Sequence, residues 1–175
     1  MIYVVRHGET DLNREGKLQG RKGLPLNNVG RHQAILLRDN LENVVFDYVY
    51  SSPQKRAIQT AEIATGANAI IDERLDVFDL GEADLLKKGE VIMQGVVPDS
   101  RLYKGVEEIP NFIKRVFSFM YELNSKHTNN HVNIFISGHR CTTGCIGAFF
   151  MGIPNDGNIL KFSSDNGNYK MFSFK

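Results

Sequence analysis

The stretch Ile2-Tyr3-Val4-Val5-Arg6-His7-Gly8 carries the fold prediction, because an apolar run passes directly into two basic side chains and a glycine. Its first four residues are apolar and mostly β-branched or aromatic, which is typical of a buried central strand. A polar, glycine-containing segment follows, up to about residue 26. The stretch therefore predicts a short buried strand that presents Arg6 and His7 at its carboxyl end.

Strand and helix patterns alternate along the rest of the chain. Apolar, β-rich runs predict strands at 46–50, 69–71, 132–137, 160–163 and 169–174. Apolar residues at steps of three and four predict helices after Asn27 and over 109–126. Ser52 as a cap, Pro53 at the first position and Gly66 as a stop predict a helix between them, and a further helix is predicted over 142–151. Turns are predicted at Asn129-Asn130 and at Asp165-Asn166-Gly167, the second joining the last two strands as a hairpin. This alternation predicts an α/β fold, a three-layer sandwich whose mostly parallel central sheet carries helices on both faces.

The length and composition indicate one globular domain over residues 1–175. Of these residues 42% are apolar and 23% charged, and 21 lysines and arginines balance 20 acidic residues to a net charge of +1. A general nucleic-acid binder or a membrane-surface protein is usually more basic, so neither is expected as a partner class. No apolar run is long enough for a signal peptide or a membrane span, so we expect a cytoplasmic protein. The weak pattern from Asp72 to Pro110 predicts loops and one short helix, and we interpret the part around 77–111 as a short cap.

Three of the predicted strands are followed directly by arginine or histidine. The first leads into Arg6 and His7, the second runs through Ser51-Ser52-Pro53 into Arg56, and a late strand ends at Ser137-Gly138-His139. The carboxyl ends of parallel strands meet at one edge of a sheet, where α/β proteins bind their ligands. We therefore expect all three clusters to open onto the same crevice.

Two guanidinium and two imidazole groups in one crevice suit an anion, above all a phosphoryl group. Histidine is a nucleophile in some phosphoryl transfers, and the flanking arginines would lower the pKa of His7 and keep it neutral. The second imidazole, once protonated, would stabilise negative charge on the phosphoryl oxygens. This chemistry needs no metal. A metal site made of His7, His139 and a carboxylate is the alternative, which two neighbouring arginines disfavour.

The two cysteines, Cys141 and Cys145, lie four residues apart on a predicted helix. They do not make a secreted disulfide framework, and no other Cys or His stands at a metal-ligand spacing from them. We predict that they are small buried apolar side chains.

The stretch Arg6-His7-Gly8-Glu9-Thr10, with Asn13 three residues further on, resembles the signature of the histidine phosphatase superfamily, the phosphoglycerate mutase-like group. The residues from Gln19-Gly20 to Ala34 resemble that family's continuation, the stretch 51–62 its second motif, and Ser137-Gly138-His139 its third. The resemblance covers nearly the whole chain and is weakest from Val77 to Asn111. It implies a phosphoglycerate mutase-like fold.

The resemblance also implies a phosphatase mechanism. His7 would be the nucleophile that becomes a phosphohistidine, and Arg6, Arg56 and His139 would form the phosphate pocket. The phosphoryl group would then pass from His7 to water, without metal or cofactor. The expected partner is a small phosphorylated metabolite, with a phosphoprotein as the alternative. The oligomeric state is not predicted.

Further residues match the substrate side of the family's site. Asn13 would be another donor to the phosphoryl group, and Gln19 and Gly20 would lie next to the substrate. The family commonly has glycine after the second histidine, where this chain has Arg140. Its guanidinium could hold a second anionic group of the substrate, or it could face solvent.

The chain departs from the family at the general acid. The family often reads Arg-Leu-x-Glu before a glycine, and here the glutamate position holds Val77. Asp76 is one residue away, which on an extended chain puts it on the opposite face. Glu82 and Asp84 are the other candidates, since either could reach the site from the following loop. Without an acid, only esters with good leaving groups would react readily.

The missing acid keeps several functions open. One is a phosphatase of protein phosphohistidine, whose leaving group departs easily. Another is a weakly active phosphate-binding regulatory protein. A phosphoglycerate mutase is less expected, because the family's glycolytic mutases are longer and carry a larger insertion.

Overall fold

A five-stranded sheet forms the centre of the fold in the computed structural model, which describes residues 1–127 and 131–174. Its strands are β1 (Ile2–Arg6), β2 (Tyr48–Ser51), β3 (Ile70–Ile71), β6 (Ile134–Gly138) and β7 (Tyr169–Phe172), while β4 (Met93–Gln94) and β5 (Val97–Pro98) form a separate small hairpin. The spatial order of the sheet is β3-β2-β6-β1-β7. All neighbours in it pair in parallel except β7, which runs antiparallel to β1 at one edge. The predicted α/β fold with a mostly parallel sheet is confirmed.

Helices cover both faces of this sheet. The helices are α1 (Asp11–Arg14), α2 (Asn28–Asn40), α3 (Lys55–Thr65), α4 (Ile109–His127) and α5 (Arg140–Met151). Side chains alternate along β1, so that Ile2 and Val4 pack in one apolar core with α4 and α5. Tyr3 and Val5 pack in a second core with α2 and α3. The three-layer arrangement follows from this alternation of apolar residues on both faces of a buried strand.

The register of the central strands brings three chain segments to one edge. Arg6 on β1 pairs with Gly138 on β6. Ser137 on β6 pairs with Ser51 on β2. Because these three strands are parallel neighbours, the residues that follow them lie side by side beyond the sheet.

Two helix starts test the capping predictions. Asn27 caps α2, and its side-chain oxygen accepts a hydrogen bond from the amide of Gly30 at 2.8 Å, as predicted. The predicted start of α3 at Pro53 is wrong, because the helix begins at Lys55 with Gln54 as its cap. The Ser52 hydroxyl is hydrogen-bonded to His139 and also accepts the N–H of Gln54, so it connects the site to the residue before α3.

The predicted hairpin at the end of the chain is also wrong. Residues Ile159–Phe162 form a 3-10 turn, and only β7 pairs with the sheet. The turn packs on α5, where glycine makes room for it: a Cβ on Gly144 would lie 2.6 Å from the carbonyl oxygen of Ile159. A Cβ on Gly147 would lie 2.5 Å from the Phe162 side chain. Close packing on α5 therefore replaces strand pairing for this segment.

The segment 77–111 consists mainly of turns. It contains the antiparallel β4–β5 hairpin and 3-10 turns at Gly81–Ala83 and Lys88–Glu90. Before the start of α4 its helical elements are these two 3-10 turns, where the sequence predicts one short helix. Backbone hydrogen bonds tie it to the loop after α1, including Leu18 N–H to the Leu86 carbonyl at 2.8 Å. Lys88 N–H donates to the Gly16 carbonyl at 3.0 Å.

Two further sequence predictions are the turn at Asn129-Asn130 and the lack of a membrane-spanning segment. The turn at Asn129-Asn130 lies outside the described residues. Within residues 1–127 and 131–174, no helix is long and apolar enough to cross a membrane.

Candidate active site

His7 lies directly after β1 and is 4% exposed. Its Nδ1 is 2.7 Å from the carbonyl oxygen of Gly8. Because a carbonyl only accepts hydrogen bonds, Nδ1 carries the proton and Nε2 keeps its lone pair. The backbone of His7 is held on both sides: its N–H donates to the Gly138 carbonyl at 2.9 Å, and its carbonyl accepts from Asn166 Nδ2 at 2.9 Å. The structure thus presents an unprotonated ring nitrogen on a residue whose backbone is fixed.

His139 follows β6 and is the N-cap of α5. Its ring centroid lies 5.2 Å from that of His7, at an interplanar angle of 60°. The Nε2 atom is 2.7 Å from the Ser52 hydroxyl, while the buried Nδ1 has no partner among the described residues. The two imidazoles and Ser52 therefore come together from the ends of β1, β2 and β6, as the parallel order predicts.

The pKa values of both imidazoles are lowered well below 6.5. For His7 the causes are burial first, then the positive charge of Arg56 and, more weakly, that of Arg6. For His139 they are burial, Arg56 and then His7. A lowered pKa for His7 agrees with the prediction of a neutral nucleophile. The lowered pKa of His139 favours a neutral ring in the free site, and a phosphoryl dianion between the rings would raise both pKa values.

Two arginines supply the positive charge. Arg56 is 1% exposed, and its Nη2 donates to the Gly20 carbonyl at 3.0 Å. Burial lowers its pKa to about 10, which still leaves it charged at neutral pH. Arg6 lines the cavity in front of the imidazoles, and its Nη1 donates to the Ser164 carbonyl at 3.2 Å. Arg56 does not line the cavity, and its positive charge lowers the pKa values of the two imidazoles from beside them.

Unpaired buried nitrogens concentrate in this region. Within the described part of the chain, five buried side-chain nitrogens lack a hydrogen-bond partner: Arg6 Nε, Gln19 Nε2, Arg56 Nε, His127 Nδ1 and His139 Nδ1. All except His127 belong to residues predicted for the site. An unpaired buried donor costs about 1–3 kcal/mol, so the three on cavity-lining residues, Arg6, Gln19 and His139, indicate a common partner. That partner must accept hydrogen bonds, which an anion does.

Asn13 and Gln19 both line the cavity. The side-chain oxygen of Asn13 accepts from Thr10 N–H at 3.1 Å and from Asn166 Nδ2 at 3.4 Å, which leaves its amino group as a donor. The oxygen of Gln19 accepts from the Thr10 hydroxyl and from Leu24 N–H, both at 3.0 Å. Each amide is therefore held by its oxygen and has its nitrogen available to a ligand.

Gly20 does not line the cavity and lies behind it, next to Arg56. Its N–H donates to Asp84 Oδ1 at 2.8 Å, and its carbonyl accepts from Arg56. The other oxygen of Asp84 accepts from Lys22 N–H at 3.0 Å. A Cβ on Gly23 would lie 2.1 Å from Arg56 Nη1, so this loop closes over the guanidinium. Gly20 and Asp84 hold Arg56 in place.

The predicted acids are not at the cavity. Asp76 is buried, but its carboxylate accepts from Gln54 Nε2 at 2.9 Å and pairs with Arg21 at 3.3 Å. Glu82 is exposed on a different part of the surface, where it accepts from Lys104 N–H at 3.2 Å. Val77 does line the cavity and is 4% exposed. The position that resembles the family's acid thus faces the site with an apolar side chain.

The cavity has a volume of about 270 Å³. One side holds His7, His139, Arg6, Asn13 and Gln19, and Arg140, predicted as a substrate contact, lies in the lining as well. Much of the remaining wall is apolar and comes from the segment 77–111, from α4 and from the 3-10 turn after α5. An engineered cavity of about 150 Å³ holds benzene, so this one has room for a phosphoryl group with a ring-sized body.

No metal cluster is evident in the described residues, where no group of three or more His, Cys, Asp and Glu side chains is placed to hold an ion. Cys145 is buried, and burial raises the pKa of its thiol to about 12. Cys141 is only half-buried and lines the cavity, with its Sγ accepting from Phe78 N–H at 3.3 Å. The prediction of a small buried side chain therefore holds for Cys145 and not for Cys141.

Two residues of the site are missed by sequence reasoning. Ser52 stands in the second motif, where its place before Pro53 indicates a helix cap, and Asn166 has the pattern of a turn residue. Asn166 reaches the His7 carbonyl across 159 positions of the chain. No local pattern carries such a contact, because it depends on β7 pairing with β1.

Known proteins resemble this chain in sequence and in fold. Residues 2–175 match the family described as "Histidine phosphatase superfamily (branch 1)". The "Uncharacterized phosphatase PhoE" of Bacillus subtilis is 31% identical over 140 residues, covering 78% of this chain and 71% of that protein.

Two solved structures share the fold at 24% identity each. The α-ribazole phosphatase of Shigella flexneri has a TM-score of 0.81 and covers 96% of this chain and 87% of its own. The phosphoglycerate mutase of Thermus thermophilus has a TM-score of 0.72, with 96% and 90% covered. At these identities the two structures speak for the fold alone. The family match over residues 2–175 goes further, and with it the chain belongs to the histidine phosphatase superfamily.

Proposed function

We propose that this protein is a metal-independent phosphatase that hydrolyses small phosphomonoesters through a phosphohistidine on His7. The observation that carries the proposal is the set of three unpaired buried nitrogens on cavity-lining residues beside His7, namely those of Arg6, Gln19 and His139. A phosphoryl group has the oxygens to satisfy them and the charge to match Arg6 and Arg56. The Nδ1–H of His7 is bound to Gly8, which keeps Nε2 as the reacting atom.

The reaction has two displacements at phosphorus. In the first, the Nε2 lone pair of His7 forms the N–P bond while the ester P–O bond breaks, and the leaving oxygen takes the bonding electrons. In the second, water attacks phosphorus, the N–P bond returns its electrons to Nε2, and inorganic phosphate leaves with the proton balance made by solvent. His139 Nδ1–H and the two guanidiniums stabilise the charge on the phosphoryl oxygens in both steps.

We also propose that good leaving groups react best. A positioned general acid contributes about 10²–10⁴-fold to the rate, and Val77 cannot supply a proton. A phenolate, carboxylate or imidazole leaves without that help, whereas an alkoxide does not. The apolar wall of the cavity suits an aromatic leaving group in particular.

The test compares an aryl phosphate with an alkyl phosphate, with EDTA present and with His7→Ala as the control. We expect turnover of the aryl ester at a rate at least about 10²-fold above that of the alkyl ester, lost in His7→Ala. Equal turnover of both esters would mean that a proton donor exists and would remove the leaving-group restriction. Enzyme quenched in alkaline denaturant during turnover should carry an acid-labile phosphoryl group on His7, detectable by mass spectrometry.

Val77 also favours a second candidate, a phosphate-binding regulatory protein with little catalysis. It would bind phosphate or vanadate, protecting against unfolding, but would turn over neither ester. Protein phosphohistidine remains the macromolecular substrate to compare with aryl phosphates, because its imidazole leaving group needs no strong acid. A mutase would instead return the phosphoryl group to an added phosphoglycerate, which isotope exchange detects.

A further inference from the structure

Among the described residues, three cations line the cavity apart from Arg6, and two of them, Arg140 and Lys88, lack the ionic partner that Lys17 has in Glu15. Arg140 is the first residue of α5 and is exposed. Lys88 lies on the 3-10 turn of the segment 77–111, and its backbone N–H is fixed to the Gly16 carbonyl at 3.0 Å. Both side chains line the same cavity as His7 and Arg6. Arg140 comes from α5 and Lys88 from the segment 77–111, so the two side chains reach the cavity from different elements.

Neither cation has an ionic partner in the described part of the chain: no carboxylate lies within 4.0 Å of Arg140 or Lys88. Their neighbours differ in this respect, since Lys17 pairs with Glu15 at 2.8 Å and Lys87 with Glu90 at 4.0 Å. Lys88 and Arg140 are thus unneutralised cations of the cavity beyond the phosphoryl pocket.

The positive charges repel one another. Partial burial, Arg6 and Arg140 lower the pKa of Lys88. Burial and then Arg140 lower the pKa of Arg6, and the exposed carboxylate of Asp165 opposes this only in part. One phosphoryl group on Arg6 would offset only part of this charge. A second anion near Arg140 and Lys88 would relieve the rest.

Much of the remaining wall of the cavity is apolar. Met93, Val97 and Pro98 come from the β4–β5 hairpin, and Phe112 comes from α4. Such a wall favours a ligand with an apolar part, such as a ring or a branched hydrocarbon group, because contact with the wall removes that part from water. The cavity therefore combines two sets of positive charges with an apolar surface.

We propose that Arg140 and Lys88 form a subsite for a second anionic group, so that the preferred phosphomonoesters carry a carboxylate or a further phosphoryl group on an apolar body. This inference rests on the proposed phosphatase site for the position of the first phosphoryl group. The substrate class of that site is then a molecule with a dianionic phosphoryl group at one end and a second anionic group at the other. Arg140 and Lys88 are specificity-determining residues that touch the part of the substrate that does not react.

The test uses phosphonates, which bind like phosphate esters and are not hydrolysed. Benzylphosphonate has one anionic group, para-carboxybenzylphosphonate adds a carboxylate, and para-xylylene diphosphonate adds a second phosphonate. Their dissociation constants are measured by calorimetry with the wild-type protein and with Arg140→Gln, Lys88→Gln and Lys87→Gln. Lys87→Gln is the matched control, because Lys87 is the adjacent lysine and does not line the cavity.

We expect the wild-type protein to bind at least one doubly anionic phosphonate about tenfold more tightly than benzylphosphonate, the effect of one charge-assisted hydrogen bond. Arg140→Gln and Lys88→Gln should each reduce this ratio to about threefold or less, and Lys87→Gln should keep it. Of the two doubly anionic phosphonates, the one that binds more tightly relative to benzylphosphonate identifies the preferred second anion as a carboxylate or a phosphoryl group.

Two results would overturn the proposal. One is a ratio near one in the wild-type protein, and the other is a ratio that survives both Arg140→Gln and Lys88→Gln. Because the phosphonates do not react, these results do not depend on turnover. A protein that binds all three compounds but hydrolyses no ester would contradict the proposed phosphatase activity and still report on the subsite.

Discussion

The hydroxyl of Ser52 lies 2.7 Å from Nε2 of His139, joining the end of β2 to the start of α5. Ser52 also accepts the N–H of Gln54 at 3.3 Å, so its own proton can point to His139. With Nε2 as an acceptor, the imidazole carries its proton on Nδ1, the unpaired atom at the site. Ser52 is therefore a positioning residue that sets the tautomer and the orientation of His139.

Removing this hydroxyl should weaken catalysis without unfolding the protein. Ser52→Ala loses a hydrogen bond worth about 1.4 kcal/mol, so we expect kcat/KM for an aryl phosphate to fall about tenfold. Ser52→Thr keeps a hydroxyl and should restore most of the activity. Thr65→Ala, which removes a hydroxyl from the far end of α3, serves as the control. Equal activity of Ser52→Ala and wild type would contradict the role assigned to Ser52.

Placing a carboxyl group at Val77 should extend the substrate range. Val77 lines the cavity where an acid could reach a leaving oxygen. We expect Val77→Glu to raise kcat/KM for an alkyl phosphate about 10²-fold and to change the aryl rate much less. Val77→Gln has nearly the same shape but no acidic proton, so its alkyl rate should stay at the wild-type level. A plot of rate against leaving-group pKa should become flatter in Val77→Glu alone.

The stability of the protein should fall as the pH drops below about 6.5, the ordinary pKa of a histidine side chain. His7 and His139 have lowered pKa values in the folded state, so the unfolded chain takes up protons that the folded chain does not. The free energy of unfolding therefore decreases with falling pH, by up to about 1.4 kcal/mol per pH unit for each imidazole. Urea denaturation about one pH unit above and about one unit below the ordinary histidine pKa measures the difference.

A substitution isolates the contribution of His7 to that slope. In His7→Gln the folded state has one imidazole fewer to keep neutral, so the loss of stability on acidification should be smaller. His32→Gln on the exposed surface of α2 is the control for removing a histidine. A slope that is the same in His7→Gln and wild type would mean that burial of His7 does not oppose its protonation.

The contact between Gly30 and the loop after His7 should not tolerate a methyl group. A Cβ on Gly30 would lie 2.1 Å from the carbonyl oxygen of Glu9, so the backbone next to His7 and Gly8 must move. We expect Gly30→Ala to cost about 2 kcal/mol, or about 4–8 °C in Tm, and to reduce activity. Gly89→Ala, where a Cβ meets no atom within 4 Å, should leave the Tm within about 2 °C. Thermal unfolding followed by circular dichroism compares the two.

The strands of the fold were largely predictable because their signals are local. The apolar run of β1 and the Asn27 cap of α2 each act within a few residues, and both are in place. Predictions failed where a distant contact outweighed the local preference. Residues 160–163 have a strand-like composition, but Gly144 and Gly147 on α5 let them pack as a turn.

The candidate site was predictable to the same extent. His7, Arg56 and His139 follow adjacent parallel strands, so their meeting follows from strand order alone. Asn166 and Lys88 were not predicted as part of it, since they reach it through pairing of β7 with β1 and through backbone contacts of the segment 77–111.

Patterns within short segments were enough to establish the α/β architecture and the cluster of histidines and arginines, because periodicity and strand ends are local properties of the chain. The folded arrangement was needed to show which side chains lack partners, that Val77 faces the cavity while Asp76 and Glu82 do not, and that His139 is neutral when free. Burial and hydrogen bonding arise between residues far apart in the chain. They set the pKa values and the free donors, and those determine what the site can bind and which esters it can cleave.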